Sequence, residues 1–274
     1  MENVIKAAVR PRTRHSLKAD LDALGVQKGM TVIVHSSLSS LGWVNGGEVA
    51  VIQALQDVIT DEGTIVMPAQ TPTLSDPAEW GNPPVPEDWW DEIKETMPAY
   101  EEGYTPTYGM GKIVEAFRSF PSVKRSSHPM YSFLAWGKNR DTILANHSLE
   151  NGLGEESPLK KLYDMEASVL LIGVGYDSNT SFHLAEYRIQ NQQLVPKGSP
   201  MMENGMRVWK NYMDIEFREE LFEDLGNDFE NELPVKKGYI GSGLTKLFSV
   251  REAVDYAAEW LENYDDKIKE HKGS

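Results

Sequence analysis

The sequence predicts an α/β fold, a central and mainly parallel sheet flanked by helices, with an α+β arrangement left open. Three observations predict it. The first half of the chain alternates helical and strand patterns. Two short β-branched runs, 31–35 and 63–68, enclose a helical stripe, a βαβ unit that calls for parallel pairing. A third apolar run, 169–172, leads straight into a glycine-rich exit and a further helix start.

Taken in order, Ser16 can cap a helix carrying Leu17, Leu21 and Leu24 and closed by Gly25. Thr31-Val32-Ile33-Val34-His35 is a strand. Residues 48–60 place apolar side chains at 51, 52, 55, 58 and 59, a helical stripe. The second strand, 63–68, is stopped by Pro68. Residues 70–107 break the pattern and hold seven of the fifteen prolines and three of the seven tryptophans. An insert of this length is usually functional, so it is read as a wall of a binding cleft, with a short helix near 88–95. Helices resume at 108–120 and 158–163, before the strand at 169–172. Asn179 or Thr180 then caps a helix with His183 in its first turn. Glu203-Asn204-Gly205 between β-like segments reads as a hairpin with an Asn-Gly turn. Ser249-Val250-Arg251-Glu252 is a capping box that opens a last helix to about residue 263. No repeat, low-complexity segment or linker divides the chain, so 1–274 reads as one domain.

Composition bounds the function. The chain is 40% hydrophobic and 25% charged, a globular balance. No apolar run approaches the length of a membrane span, and the first residues have no signal-peptide core, so a cytoplasmic protein is expected. There is no cysteine, which removes disulfides, thiolate metal sites and a catalytic thiol. The six histidines lack metal-ligand spacing, so no metal is expected. A net charge of −15 disfavours nucleic acid and anionic membranes and attracts cations. Nothing in the sequence sets an oligomeric state.

Familiar signatures are absent: there is no Gly-x-Ser-x-Gly elbow, no Walker loop and no complete dinucleotide fingerprint. Three segments carry positive signals. His35-Ser36-Ser37-Leu38-Ser39-Ser40-Leu41-Gly42, followed by Gly46-Gly47 and a helix, offers hydroxyls and N–H groups suited to an anion or pyrophosphate. Arg125-Ser126-Ser127-His128-Pro129, preceded by Thr105-Pro106-Thr107, offers a cation and hydroxyls for phosphate or amide groups. The third is Gly173-Val174-Gly175 leading to His183. A histidine in the first turn of a helix feels the positive end of the dipole, which favours a neutral ring able to accept a proton.

Together these segments, with Gly154-Glu155-x-Ser157-Pro158-Leu159 and Thr180-x-x-His183-Leu184-Ala185-Glu186, resemble the aminoglycoside 3-N-acetyltransferases over roughly residues 30 to 190. The overall pattern is similar to Bacillus-type members. The resemblance implies an antibiotic-acetyltransferase fold with a C-terminal hairpin, distinct from the GNAT fold. It implies acetyl-CoA as donor and an amine as acceptor, usually the 3-amino group of a 2-deoxystreptamine ring. It also implies His183 as general base and the serine-rich motif as a coenzyme contact.

Without a cysteine or an elbow serine, direct transfer between two substrates in one cleft is expected. The acid that orients His183 is one of Asp177, Glu186, Asp214 and Glu216, and the resemblance favours Asp214 or Glu216. The donor site is expected to include His35, Ser36, Ser37, Ser40, Thr107 and Arg125. Asp76, Asp177 and Glu186, with Glu79, Asp88 and Asp91, are the carboxylates expected to hold a cationic acceptor. Two alternatives stand beside this reading: acetylation of a different cellular amine, and a non-catalytic coenzyme A or cation-binding protein.

Overall fold

Local capping and alternation account for most of the elements. The computed structural model describes residues 10–272. Helix α1 (Arg14–Leu24) is capped by Thr13, not Ser16. Thr13 Oγ1 accepts the Ser16 N–H at 3.1 Å and Ser16 Oγ accepts the Thr13 N–H at 2.9 Å, a reciprocal capping box. Strand β1 (Thr31–Ser36), helix α2 (Gly47–Ile59) and strand β2 (Thr64–Pro68) form the expected βαβ unit. The insert contains helix α3 (Trp90–Thr96), and after it come α4 (Gly111–Arg118), β3 (Lys124–Arg125), β4 (Phe133–Gly137), α5 (Arg140–Leu144) and α6 (Pro158–Asp164). Strand β5 (Ser168–Ile172) leads into the short helix α7 (Phe182–Glu186). Strands β6 (Leu194–Glu203) and β7 (Met206–Ile215) meet at an Asn204-Gly205 turn, both residues at positive φ, as a two-residue hairpin requires. Helix α8 (Phe222–Glu232), strands β8 (Lys236–Ile240) and β9 (Gly243–Ser249), and helix α9 (Val250–Lys272) complete the chain. No helix among the described residues is long and apolar enough to cross a membrane.

The main sheet runs β3-β4-β2-β1-β5-β9-β8, and β6-β7 form a separate ribbon. Only β2-β1-β5 pair in parallel. The other pairs of this sheet, β2-β4, β3-β4, β5-β9 and β8-β9, are antiparallel. The expectation of a mainly parallel sheet is therefore corrected: the parallel part is a three-strand centre with antiparallel flanks. Parallel pairing needs a crossover, which α2 supplies between β1 and β2, whereas β8 and β9 join through a tight Gly241-Ser242 turn and can only pair antiparallel.

The strands are buried on both faces, so adjacent residues feed two cores. Val32, Val34, Ile65, Met67, Leu170 and Ile172 meet Leu21, Leu55 and Phe117 from α1, α2 and α4. Ile33, Val66, Val169 and Leu171 meet Phe182, Phe229, Val254 and Leu261 from α7, α8 and α9. Helix α9 buries Val250, Ala253, Val254, Ala257 and Leu261, a stripe that ends near the predicted boundary. It continues to Lys272 along a polar surface turn tied by Lys269–Asp266, at 2.9 Å, and by Arg218–Asp265, at 2.6 Å.

The insert behaves differently from its expectation. Only Gln70 and Pro72 of residues 70–107 line the large cleft. Four of its other residues brace the β6–β7 ribbon: Lys197 pairs with Glu79, the Tyr100 N–H donates to Pro200 O at 3.1 Å, and Arg207 holds the carbonyls of Lys94 and Met97.

The exit of β5 is set by steric fit. Gly173 has φ 65°, and an added Cβ would lie 1.8 Å from Ser40 Oγ. Ser40 cannot withdraw freely, because its hydroxyl donates to Ser37 O at 2.7 Å. Gly173→Ala is expected to lower stability by about 2–4 kcal/mol through backbone strain and overpacking. In thermal unfolding this corresponds to a loss of roughly 5–10 °C in Tm. A folded variant with unchanged Tm would contradict this account of the turn.

Candidate active site

Ligands of α/β sheets gather where parallel strands end, because chain leaves the sheet there and helices begin. The carboxyl ends of β1, β2 and β5 open into a cleft of about 1090 Å³. Its floor comes from His35 and Ser36 at the end of β1, from Pro68, and from Val174 just past β5. Gly47 and Glu48 open α2 onto it, and Gly111 and Lys112 open α4. Met130, Tyr131, Leu153, Phe217 and Glu219 also line it.

His183 stands in this cleft, 8% exposed. It occupies the first turn of α7, as expected, but the N-cap residue is Ser181, without a side-chain cap, and not Asn179 or Thr180. Asn179 Oδ1 instead accepts the Ser181 N–H at 3.3 Å and its hydroxyl at 2.7 Å in the turn before the helix. Its ring packs against Phe217 and Phe222, with centroids 4.4 and 4.8 Å away. His183 Nδ1 lies 2.7 Å from Glu186 Oε2. Glu186 is 2% exposed, and its other oxygen accepts the backbone N–H of Arg218 at 2.7 Å. An ionised carboxylate only accepts, so Nδ1 carries the proton and Nε2 presents its lone pair. Nε2 makes no hydrogen bond among the described residues. The pair can therefore accept a proton at Nε2 and stabilise the resulting imidazolium from behind.

The structure brings His35, Ser36, Ser37 and Asp177 to the cleft with His183. It does not bring the others. Arg125, expected to hold the coenzyme, is 5% exposed and committed to protein acceptors. Its Nε donates to Ser132 Oγ at 2.9 Å, Nη2 donates to Ala69 O at 2.6 Å and Thr71 Oγ1 at 2.9 Å, and Nη1 donates to Thr105 O. It fastens the start of the insert to the sheet. Thr107 gives both its N–H and its hydroxyl to Glu115, at 3.0 and 2.9 Å. Ser40 is the wedge against Gly173. Asp76 caps a 3-10 turn through the Ala78 N–H at 3.0 Å and pairs with Lys94 at 2.7 Å, away from the cleft.

The carboxylates are also reassigned. Glu186, named both among the four candidates for the orienting acid and with the acceptor contacts, is the acid bound to His183. The favoured candidates for that partner lie elsewhere. Asp214 is buried, accepts the Tyr187 hydroxyl at 2.6 Å, and has its pKa raised by that burial. Glu216 is exposed and borders a smaller hollow on the far side of Glu186. The i,i+3 spacing of His183 and Glu186 on one helical turn was the available signal. The helix start at Gly47 reaches the cleft as read from the sequence, whereas Lys112, the Phe217–Phe222 clamp and Glu219 were missed, because only the fold brings these segments together.

Three further histidines are buried and neutral. Burial, helped by the charge of nearby His183, pushes the His35 pKa down to about 3. Burial holds His147 down to about 4 and His128 well below its ordinary value. His128 Nδ1 accepts the N–H groups of Met130 and Tyr131, at 3.1 and 3.0 Å. His147 Nε2 donates to Gly152 O at 2.6 Å, and its Nδ1 accepts from Ser126 Oγ at 2.9 Å.

Known proteins share the sequence pattern and the fold. The family model described as aminoglycoside 3-N-acetyltransferase matches residues 33–262. The SPbeta prophage-derived aminoglycoside N(3')-acetyltransferase-like protein YokD of Bacillus subtilis is 60% identical, with 97% of this chain and 98% of that one aligned. The crystal structure of YokD superposes with a TM-score of 0.96 over 97% of this chain and 99% of that one. Aminoglycoside N(3)-acetyltransferase VII of Streptomyces paromomycinus is 31% identical over 98% of this chain and 97% of its own. AAC-IIIb, solved as its binary complex with CoASH, is 27% identical, with a TM-score of 0.83 over 93% of this chain and 98% of that one.

The buried histidines make stability sensitive to mild acid. Their folded pKa values lie below the unfolded value of about 6.5. The unfolded chain therefore binds more protons as pH falls, and the stability present above pH 6.5 is lost on the way down. For three such groups the loss between pH 7.5 and 5.5 is about 4 kcal/mol. Urea unfolding at the two pH values checks this, and a midpoint that rises at pH 5.5 would contradict it.

Proposed function

The chain belongs to the aminoglycoside 3-N-acetyltransferase family, and from that premise we propose that it transfers the acetyl group of acetyl-CoA directly to an amine of a cationic aminoglycoside. The proposed acceptor is the 3-amino group of the 2-deoxystreptamine ring, and His183 is the proposed general base. The observation that carries this reading is the buried Glu186–His183 pair, 2.7 Å apart, with Nε2 available to the cleft.

The donor side is supported by chemistry suited to a polyanionic coenzyme. The hydroxyls of Ser36 and Ser37, the N-terminal turns of α2 and α4, and Lys112 all line the cleft. Ser36 Oγ is buried with no protein partner, as expected of a group completed by a ligand. On the acceptor side, Asp177 and Glu219 stand as the cleft carboxylates nearest in sequence to the base's own segments. The amine loses its proton to His183 Nε2 as its nitrogen bonds to the acetyl carbon. The C–S bond then breaks, and the thiolate of coenzyme A takes the proton back from His183. The absence of cysteine is consistent with this single-displacement route. Elements from β1 to the segment after β7 build the cleft, so we take the chain as one catalytic unit, working in the cytoplasm on its donor metabolite.

Release of free coenzyme A thiol, screened across aminoglycosides and simple polyamines, tests the reading, with NMR of the product locating the acetylated nitrogen. Aminoglycoside-dependent release is expected. Turnover of simple polyamines alone would move the acceptor to a different cellular amine, and no release with any amine would overturn transfer. His183→Ala and Glu186→Gln are each expected to lower kcat by about 10²–10⁴-fold with acetyl-CoA affinity unchanged. A folded Glu186→Gln enzyme with full kcat would remove the pair from the reaction.

The cleft carries Glu48, Asp177 and Glu219 in a chain of net charge −15, so the KM for a polycationic acceptor is expected to rise with salt. A KM for the aminoglycoside that stays flat from low to high ionic strength would contradict this electrostatic contribution.

A further inference from the structure

His35 is a buried polar side chain of the cleft that the acid–base pair leaves unused. It stands one residue before the end of β1, opposite Leu171 of β5. Strand alternation puts it on the face of Ile33, the face that packs under Phe182 of α7. His35 and His183 thus reach the cleft from the same side of the sheet.

The two ring nitrogens of His35 are not equivalent. Nε2 is sealed from solvent and has no hydrogen-bond partner. Nδ1 makes no hydrogen bond among the described residues either, yet it is not a sealed atom. The nitrogen this ring can offer a ligand is therefore Nδ1. With its pKa held near 3 the ring is neutral at any working pH and carries a single proton. A buried N–H without an acceptor is rarer and costlier than a bare acceptor, so the proton belongs on Nδ1. The result is an uncharged N–H donor facing the cleft beside His183.

We propose that His35 donates its Nδ1–H to the carbonyl oxygen of the bound acetyl thioester and stabilises the oxyanion formed when the amine adds. The inference rests on the transferase reading above. As the amine nitrogen bonds to the acetyl carbon, the carbonyl π pair moves onto oxygen, and the nitrogen proton goes to His183 Nε2. His35 keeps its proton throughout and holds the oxygen by a hydrogen bond. The oxygen pair then restores the carbonyl, the C–S pair leaves on sulfur, and His183 returns the proton to the thiolate. A neutral donor suits this position. A cation at residue 35 would oppose the imidazolium that His183 must become.

Asn places its amide nitrogen close to the position of a histidine Nδ1, so His35→Asn keeps the donor and His35→Leu removes it. At saturating acetyl-CoA, His35→Leu is expected to lose about 10²–10³-fold in kcat. His35→Asn is expected to stay within roughly tenfold of the parent, and acetyl-CoA affinity by calorimetry to change little in either. A second measurement needs no variant: ¹⁵N-histidine NMR of the parent protein. It is expected to show the His35 proton on Nδ1 and a shift of that nitrogen on adding acetyl-CoA but not coenzyme A. A folded His35→Leu enzyme with full kcat, or a proton found on Nε2, overturns the proposal. If His35→Leu does not fold, the Asn variant and the spectra decide. Should the parent acetylate no amine, the transferase reading has failed instead, and the NMR response to the thioester still decides whether His35 meets the acyl oxygen.

Discussion

A carboxylate that is 2% exposed is tolerated only where hydrogen bonds replace the water it has lost, and the site is organised around that requirement at Glu186. One oxygen is satisfied by His183 Nδ1 and the other by the backbone N–H of Arg218. The second bond fixes the start of the segment after β7 against α7. Arg218 is in turn fastened to Asp265 on α9, at 2.6 Å. The orientation of one imidazole thus depends on a C-terminal helix more than 60 residues away in sequence, although that helix does not line the cleft.

The same logic explains which charged residues reach the cleft and which do not. Arg125 is the basic residue embedded in a recognisable motif, yet its guanidinium is committed to buried carbonyls and hydroxyls of the protein. Several acids of the insert hold the ribbon or one another's neighbours: Asp76 pairs with Lys94, and Glu79 pairs with Lys197. Net charge supplies long-range attraction, but a cleft with few carboxylates places local selectivity on shape, the aromatic wall and those few groups. Buried His35, His128 and His147 show the complementary strategy. All three rings are neutral, which costs less inside the protein than a buried cation, and those of His128 and His147 act as fixed donors and acceptors.

Local signals were legible where the physics is local. The βαβ unit, the Asn204-Gly205 turn and the Ser249 cap each depend on a few adjacent residues, and the structure contains them. The capping of α1 was displaced from Ser16 to Thr13, because both residues of a capping box carry hydroxyls and sequence does not say which is first. The antiparallel flanks of the sheet were not legible, since strand direction depends on where a connection returns and not on the composition of the strand. The site divided in the same way. The serine-rich turn after β1 and the His183 segment reach the cleft, while Thr107 and Arg125, from equally recognisable motifs, serve the scaffold.

By itself the sequence determined the βαβ core, the glycine-gated exit of β5, the cysteine-free chemistry and the resemblance that pointed to the family. These follow from periodicity, backbone sterics and residue type within short windows. Only the tertiary structure decided that Glu186, and not Asp214 or Glu216, holds His183, and that Arg125 is a structural clamp. A carboxylate becomes a partner through position within 3 Å and loss of competing water, and both are properties of packing between segments distant in sequence.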